Sequence, residues 1–372
     1  MTPKPRSSHW ARTRLYAEGD ALFARMLEAI RGASERVDFE FYIFELDLLG
    51  HRFVEALGDA AARGVEVRVM VDGVGSMEDL ERLIPALITR GVKVRVYHPL
   101  PWFFSSYRWS RRGGLALLKF LRLLWNMNRR NHRKLCIVDG RVAWVGSFNI
   151  TAVHLSVPAG GAGWRDYAVE LEGPRVATLA EGFEDLWSGY RSRLRRGFLA
   201  GYLSNRSLKG RQIKNRFVAR SVVNARRVWV ANAYFLPTAI MRRALLNACR
   251  NGADVRLLLP ERSDVVVFPG LSSHYYHELL RAGARIFLYQ PGVLHAKAVL
   301  LDQMLIIGSS NWNYRSSLHD LELDVVVRDS DTLADMERVM TEDAANSREL
   351  LLDETPSPGL LSWLLYGVRY WM

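Results

Sequence analysis

An internal repeat constrains this chain more than any other feature. The stretch RGVEVRVMVD (63–72) corresponds to NGADVRLLLP (251–260), and RGVKVRVYHP (90–99) corresponds to AGARIFLYQP (282–291). Each copy then runs into a His-x-Lys segment, His132-Arg133-Lys134 in the first half and His295-Ala296-Lys297 in the second. Self-similarity of this length implies duplication of one supersecondary unit. The 372 residues also exceed what one hydrophobic core ordinarily holds, so two fused halves are expected.

The hydrophobic pattern says what each half is made of. Val37, Phe39, Phe41 and Ile43 alternate onto one face, as do Val65, Val67, Val69 and Val71, then Val92, Val94 and Val96. Helical spacing lies between them, for example Leu22, Met26, Leu27 and Ile30. The second half repeats the order, with strands at 228–234, 255–259 and 286–289 and a helix at 237–250. Strands alternating with helices predict two similar α/β halves, each on a largely parallel sheet. The expected division is 13–190 for the first half, 191–216 for a basic connecting segment, 217–345 for the second half and 346–372 for a tail. The first half carries an insertion at 99–131, since Pro99 lies far upstream of His132 whereas Pro291 nearly abuts His295.

Charge bears on the partner. With 51 Lys and Arg against 39 Asp and Glu, the net charge is +12, which implies an anionic surface, nucleic acid or phosphate-bearing substrate. The two cysteines, Cys136 and Cys249, support no disulfide framework. Residues 1–15 hold no apolar stretch, so no signal peptide is expected. No run reaches the roughly 20 apolar residues of a spanning helix.

The chemistry is concentrated after each His-x-Lys. Asp139 and Gly146-Ser147-Phe148-Asn149 follow the first copy, and Asp302 and Gly308-Ser309-Ser310-Asn311 follow the second. Period-two alternation puts His and Lys of each copy on one face of a strand, and a Gly-Ser turn returns Ser and Asn toward them. Two imidazoles can divide labour as nucleophile and general acid. Lys134, Lys297, Asn149 and Asn311, together with Ser147 and Ser309, are candidates to hold phosphate oxygens as charge develops at phosphorus. A cation beside each His disfavours a metal, because a ligating His must be neutral; no catalytic metal and no cofactor are expected.

These paired motifs resemble the HKD motifs of the phospholipase D superfamily, over residues 13–330. The resemblance implies two α/β halves packed together with one shared active site at their interface, and a phosphohistidine intermediate. It implies that His132 is the nucleophile and His295 the acid that protonates the leaving group. It makes Asp139 and Asp302 members of the signature that mainly brace the strands. It also offers Asp166, in WRD, and Glu322, in LHDLELD, as acids that orient the two imidazoles.

Several segments resemble the cardiolipin synthase branch, among them HRKLCIVDGRVAWVGSFNI, WRDYAVELEGP and GSSNWNYRSSLHDLELDVVVRD. One departure is Gly146-Ser147-Phe148-Asn149, where that branch often has Gly-Gly-Leu-Asn. The chain resembles the branch's compact form, without N-terminal spanning helices. The implied activity is transfer of a phosphatidyl group to phosphatidylglycerol, with phosphatidylethanolamine as a further candidate donor, by a peripheral protein on the cytoplasmic side of the cell membrane. The insertion suits an anionic membrane surface: residues 99–131 hold Trp102, Phe103, Phe104, Tyr107, Trp109, Phe120 and Trp125, seven basic residues and no acid. The tail 358–372 is similar and too short to span. Two rivals remain: a hydrolase or nuclease on the same site, and a non-catalytic membrane-binding protein. A nucleic-acid partner is not the expectation.

Overall fold

The computed structural model describes residues 10–99, 129–189, 201–355 and 366–367. The insertion up to residue 128 and most of the tail lie outside them.

The first half builds a seven-stranded sheet and the second an eight-stranded one. In the first, β2 (Arg36–Phe41), β3 (Glu66–Asp72) and β4 (Lys93–Tyr97) run parallel. They are joined through α2 (Leu48–Ala62) and α3 (Leu80–Ile88). On the other side of β2 the direction reverses: β5 (Leu135–Val138), β6 (Val142–Gly146) and β7 (Ala168–Glu172) form an antiparallel meander, closed by β1 (Arg12–Tyr16). The second sheet repeats this. β9 (Arg227–Asn232), β10 (Asp254–Pro260) and β11 (Arg285–Tyr289) are parallel, while β12 (Lys297–Leu301), β13 (Met304–Gly308) and β14 (Leu323–Val327) are antiparallel.

Each sheet is therefore mixed rather than largely parallel. The reason is local. β5 and β6 are joined by a three-residue turn, Asp139-Gly140-Arg141, whose first two residues have positive φ (51° and 63°), and so tight a turn can only join antiparallel strands. The segment 191–216, expected as a connector, contributes β8 (Tyr202–Ser204) at the edge beside β14, and the first part of α5 (Leu208–Val223).

The layers follow from which faces are apolar. Helix α1 (Gly19–Arg31) with α2 and α3 covers the outer face of the first sheet, through Leu22, Phe53 and Leu83 onto Val37, Phe39 and Val69. Helices α5 and α6 (Ala239–Arg250) cover the outer face of the second through Val222 and Leu245. The inner faces meet in one core: Leu135, Ile137, Val145 and Val169 join Trp229, Ala298, Leu300, Ile307 and Val325. Helices α4 (Val176–Trp187) and α10 (Ser330–Ala345) add Phe183 and Met336 to it. Because the sheets pack face to face, the equivalent strands β5 and β12 bring their His-x-Lys ends toward one interface.

Candidate active site

Each histidine sits just before its strand, in a segment that crosses to the opposite half. The His132 N–H donates to Leu321 O (2.9 Å), and the Leu321 N–H donates to Arg130 O (2.8 Å). In mirror fashion the His295 N–H donates to Arg165 O (2.8 Å), and the Arg165 N–H to Val293 O (2.9 Å). These two short bridges stitch each His segment to the acid-bearing segment of the other half.

The acids are accordingly exchanged. His132 Nδ1 lies 3.1 Å from Glu322 Oε2 and 3.0 Å from the carbonyl of Ser309. His295 Nδ1 lies 2.8 Å from Asp166 Oδ1. A carbonyl oxygen can only accept, so Nδ1 of His132 carries the proton and its Nε2 presents a lone pair. Neither Nε2 makes a hydrogen bond to a described residue, which leaves both open to a ligand.

The lysines are buried beside them, each 2 % exposed. Lys134 Nζ donates to His132 O at 2.8 Å, and Lys297 Nζ donates to His295 O. Lys134 Nζ stands 5.2 Å from the Tyr42 ring centroid and Lys297 Nζ 5.7 Å from that of Tyr234. The same rings flank the imidazoles, Tyr42 at 5.0 Å from His132 and Tyr234 at 5.9 Å from His295. Burial, with the neighbouring Lys297, pushes Lys134 down to about 7; burial pushes Lys297 down to about 8. Burial and Lys134 hold His132 well below the usual histidine range, and burial and Lys297 push His295 down to about 4. Four cationizable groups crowded out of water create a strongly electropositive hole.

The two acids differ. Burial raises Glu322 to about 7 despite Lys214 and the hydroxyls of Ser309 and Ser316. Burial acts on Asp166 too, but the imidazoles of His295 and His154 outweigh it and hold the carboxyl well below its usual range.

One expectation needs correction. The hydroxyls of Ser147 and Ser309 are not phosphate ligands: both residues are fully buried and their Oγ atoms are already used. Ser147 Oγ donates to Tyr167 O (3.2 Å) and accepts from Tyr167 N (3.1 Å). Ser309 Oγ donates to Glu322 (2.5 Å) and accepts from Leu323 N (3.0 Å). They tie the Gly-Ser turn to the strand that carries the acid. The preceding glycines allow it: a Cβ on Gly146 would meet Tyr167 O at 2.5 Å, and one on Gly308 would meet Leu323 O at 2.2 Å. Asp139 and Asp302, the acids of the signature, lie at the opposite ends of β5 and β12 from the lysines. Asp139 accepts the N–H groups of Ser34, Glu35 and Arg36, and Asp302 those of Arg226 and Arg227. They brace the starts of β2 and β9 and touch nothing in the site.

Asn149 and Asn311 are buried, 3 % and 6 % exposed. Asn149 Oδ1 accepts from Ile43 N at 3.4 Å, while Asn311 Oδ1 is buried with no partner among the described residues.

Sequence reasoning missed Tyr42, Tyr234 and His154. Each tyrosine lies just past the end of a central strand, β2 or β9, which is a signal once strands are placed. His154 Nδ1 lies 2.8 Å from Asp166 Oδ2, at an angle outside ordinary hydrogen-bond geometry. His154, Asp166 and His295 are also the described residues whose ligand atoms cluster closely enough for a metal, all within 4.8 Å. They fit one poorly. The backbone N–H of Asn149 donates to His154 Nε2 (3.1 Å), so a metal on Nδ1 would require an imidazolate.

Comparisons with known proteins agree with this geometry. The family model for the cardiolipin synthase, phospholipase D-like domain matches residues 26–187 and 222–344. Cardiolipin synthase A of Pseudomonas fluorescens is 32% identical over 92% of this chain and 70% of its own length. That of Pseudomonas aeruginosa is 33% identical over 96% of this chain and 71% of its own. The crystal structure of a phosphatidylserine synthase from Haemophilus influenzae superposes with a TM-score of 0.71 at 13% identity, over 97% of this chain and 95% of that one, which is a likeness of fold. Two mixed sheets, each contributing one His-x-Lys and one acid to the other's histidine, are thus accompanied by sequence similarity along nearly the whole chain, and the chain belongs to the cardiolipin synthase family of phospholipase D-like proteins.

Proposed function

We propose that this protein transfers a phosphatidyl group from one phospholipid to the hydroxyl of phosphatidylglycerol, through a phosphohistidine. The observation that carries this reading is the arrangement of the two imidazoles. Each is held through Nδ1 by an acid from the other half and leaves Nε2 open beside a buried lysine.

The two acids support different roles for the two rings. Anionic Asp166 favours a second proton on His295, which suits the acid that protonates the leaving group. Glu322, pushed up to about 7, favours an imidazolium far less, which suits a neutral His132 nucleophile. In the first step His132 Nε2 bonds to phosphorus as the bond from phosphorus to the leaving alcohol breaks, and His295 Nε2–H protonates that alcohol. In the second, His295 takes the proton of the acceptor hydroxyl, whose oxygen bonds to phosphorus as the P–N bond breaks. With phosphatidylglycerol as donor and acceptor, the products are cardiolipin and glycerol. Lys134 and Lys297, with Asn149 and Asn311, offset the charge on the non-bridging oxygens. Burial is the first cause of the low imidazole values, and the lysines the second; an anion between the lysines offsets the second.

Among the described residues no helix is long and apolar enough to cross a membrane. We place the protein at an anionic membrane surface, on the cytoplasmic side, because the net charge is +12 and the insertion is rich in basic and aromatic residues. The test is incubation of purified protein with phosphatidylglycerol, with and without phosphatidylethanolamine, with products identified by mass spectrometry. Cardiolipin with released glycerol is expected from phosphatidylglycerol alone. Phosphatidic acid as the sole product identifies a hydrolase and overturns the synthase reading.

A further inference from the structure

The site holds a third imidazole that the two-histidine chemistry does not use. His154 is 2 % exposed, and Asp166 is fully buried between it and His295. The two carboxylate oxygens are divided, Oδ1 to His295 Nδ1 and Oδ2 to His154 Nδ1, each at 2.8 Å. The rings of His154 and His295 stand 5.9 Å apart, both against Trp164.

The proton on His154 is placed by its other nitrogen. Nε2 accepts the Asn149 N–H, so it carries none, and the neutral ring has its hydrogen on Nδ1, facing Asp166. Protonating Nε2 would set two N–H groups against each other in a dry site.

The other half supplies an internal comparison. Ser316 Oγ accepts the Asn311 N–H (3.2 Å) and donates to Glu322 Oε1 (2.5 Å). In the first half His154 accepts the Asn149 N–H and sets its Nδ1 2.8 Å from Asp166 Oδ2, five residues after its Asn, as Ser316 lies five residues after Asn311. The duplicated framework thus carries a hydroxyl at one acid and an imidazole at the other.

We propose that His154 is a positioning residue for the leaving-group acid: its Nδ1–H, 2.8 Å from Asp166 Oδ2, sets the positive end of an N–H dipole against that carboxylate and keeps it ionised, so that the shared proton resides on His295 rather than on Asp166. This rests on the assignment of His295 as acid made above. The directions of the two acids agree, Asp166 held low and Glu322 raised. The charged groups that face His154 are Asp166 and His295. Lys297 and Lys134 act on that pair from beyond, and Asp20 and Glu45 bond to the neighbouring Ser156 N–H and Thr151 hydroxyl.

Electrostatics sets the sign of the effect. The deprotonated pair, with a net negative charge, gains more from the His154 N–H than the protonated pair does. Removing the donor therefore raises the apparent pKa of the pair, but moves the proton toward Asp166, where it cannot serve the leaving group.

The test compares His154→Phe, which keeps a ring but no donor, with His154→Asn, whose amide N–H takes the place of Nδ1–H. On phosphatidylglycerol the Phe variant is expected to lose at least about tenfold in kcat, a part of the 10²–10⁴ typical of a positioned acid. Its alkaline limb should move to higher pH, and the Asn variant should recover most of the rate. First-turnover release of nitrophenolate from bis(p-nitrophenyl) phosphate, a leaving group that needs no proton, should change less than about threefold. A merely structural His154 would lower both substrates equally with no movement of the limb, and that result overturns the proposal. A readout without turnover separates it from the synthase reading: in ¹⁵N spectra of labelled histidines the His295 titration should shift upward in His154→Phe. If the parent protein makes no cardiolipin but these spectra hold, the synthase reading fails and the role of His154 stands. An unchanged His295 titration in His154→Phe refutes it.

Discussion

His132 Nδ1 and Glu322 Oε2 lie 3.1 Å apart although 190 residues separate them in the chain, and His295 and Asp166 meet at 2.8 Å across 129. Each half holds the other's imidazole in place. Neither His132 nor His295 is oriented by an acid of its own half, so the duplicated units form one site.

Exchange of acids predicts unequal damage when they are neutralised. Glu322→Gln keeps the shape and still leaves His132 Nδ1–H bonded to the Ser309 carbonyl at 3.0 Å, so the nucleophile keeps its tautomer. Asp166→Asn removes the charge that favours the His295 imidazolium, and no carbonyl substitutes for it. Asp166→Asn is expected to cost more in kcat than Glu322→Gln, by about tenfold within the 10²–10⁴ span of acid–base catalysis. Equal losses in steady-state assays would contradict the division of roles.

His132→Ala and His295→Ala should each lower transfer by at least 10²–10⁴ while circular dichroism stays that of the parent. They should differ in what accumulates. His295→Ala keeps the nucleophile and should still form an acid-labile phosphoenzyme from a substrate with an activated leaving group, whereas His132→Ala should form none. Phosphoenzyme in the His132 variant would exchange the two assignments.

The repeat made the α/β halves and the two His-x-Lys pairs visible, because duplication preserves spacing. It could not reveal which acid serves which histidine, since that pairing crosses between halves and follows no local periodicity. Ser147 and Ser309 were misassigned for a related reason. Their hydroxyls look available in a linear motif, and only the packing of β7 on β6 and of β14 on β13 shows them tied to Tyr167, Leu323 and Glu322. His154 was invisible as the counterpart of Ser316 because the residue types differ and the loops from them to their acids have different lengths. The parallel sheet expected from alternating strands and helices held only as far as β4 and β11, before the chain turned back on itself at tight hairpins.

Activity should survive exhaustive chelation. The cluster most able to take a cation, His154, Asp166 and His295, has its Nδ1 positions set for protons by the Asn149 N–H and by the carboxylate between them. Treatment with EDTA, followed by assay on a soluble phosphodiester so that metal effects on lipid packing drop out, should leave the rate within about twofold. Loss of activity restored by a divalent ion would reverse this reading of the site.

The insertion is expected to bind anionic bilayers reversibly. Its seven basic side chains each contribute up to about 1 kcal/mol near such a surface, and its aromatics add apolar burial. Changing Arg108, Arg111, Arg112 and Arg122 to Gln should weaken vesicle binding mainly at low salt, where the field is not screened. Changing Trp102, Phe103 and Phe104 to Ser should weaken it at all salts. Sedimentation with phosphatidylglycerol vesicles measures both, and unchanged binding in both sets would assign the insertion to packing.

The buried lysines predict the pH dependence. Lys134 at about 7 and Lys297 at about 8 lie below the roughly 10.4 of a free lysine, because burial penalises the ammonium and Lys297 adds repulsion at Lys134. In the free enzyme, rising pH removes first one ammonium and then the other, and with them the attraction for a phosphodiester. The kcat/KM should therefore fall from about pH 7 upward and steepen above 8. Bound phosphate reverses the field at both lysines, raising their pKa values, so the fall in kcat should lie at higher pH than the fall in kcat/KM. Stability obeys the same titrations with the opposite sign. An unfolded lysine binds its proton up to about 10.4, so between about 7 and 10 the unfolded chain holds more protons than the folded one, and these two groups make the fold more stable as pH rises. Diethyl phosphate, whose single charge is constant over this range, should accordingly raise the melting temperature more at pH 6 than at pH 9, and Lys134→Met should shrink that difference. A kcat/KM that is flat between pH 7 and 9, or equal stabilisation by diethyl phosphate at both pH values, would mean that the lysines keep their protons and that burial does not control their charge.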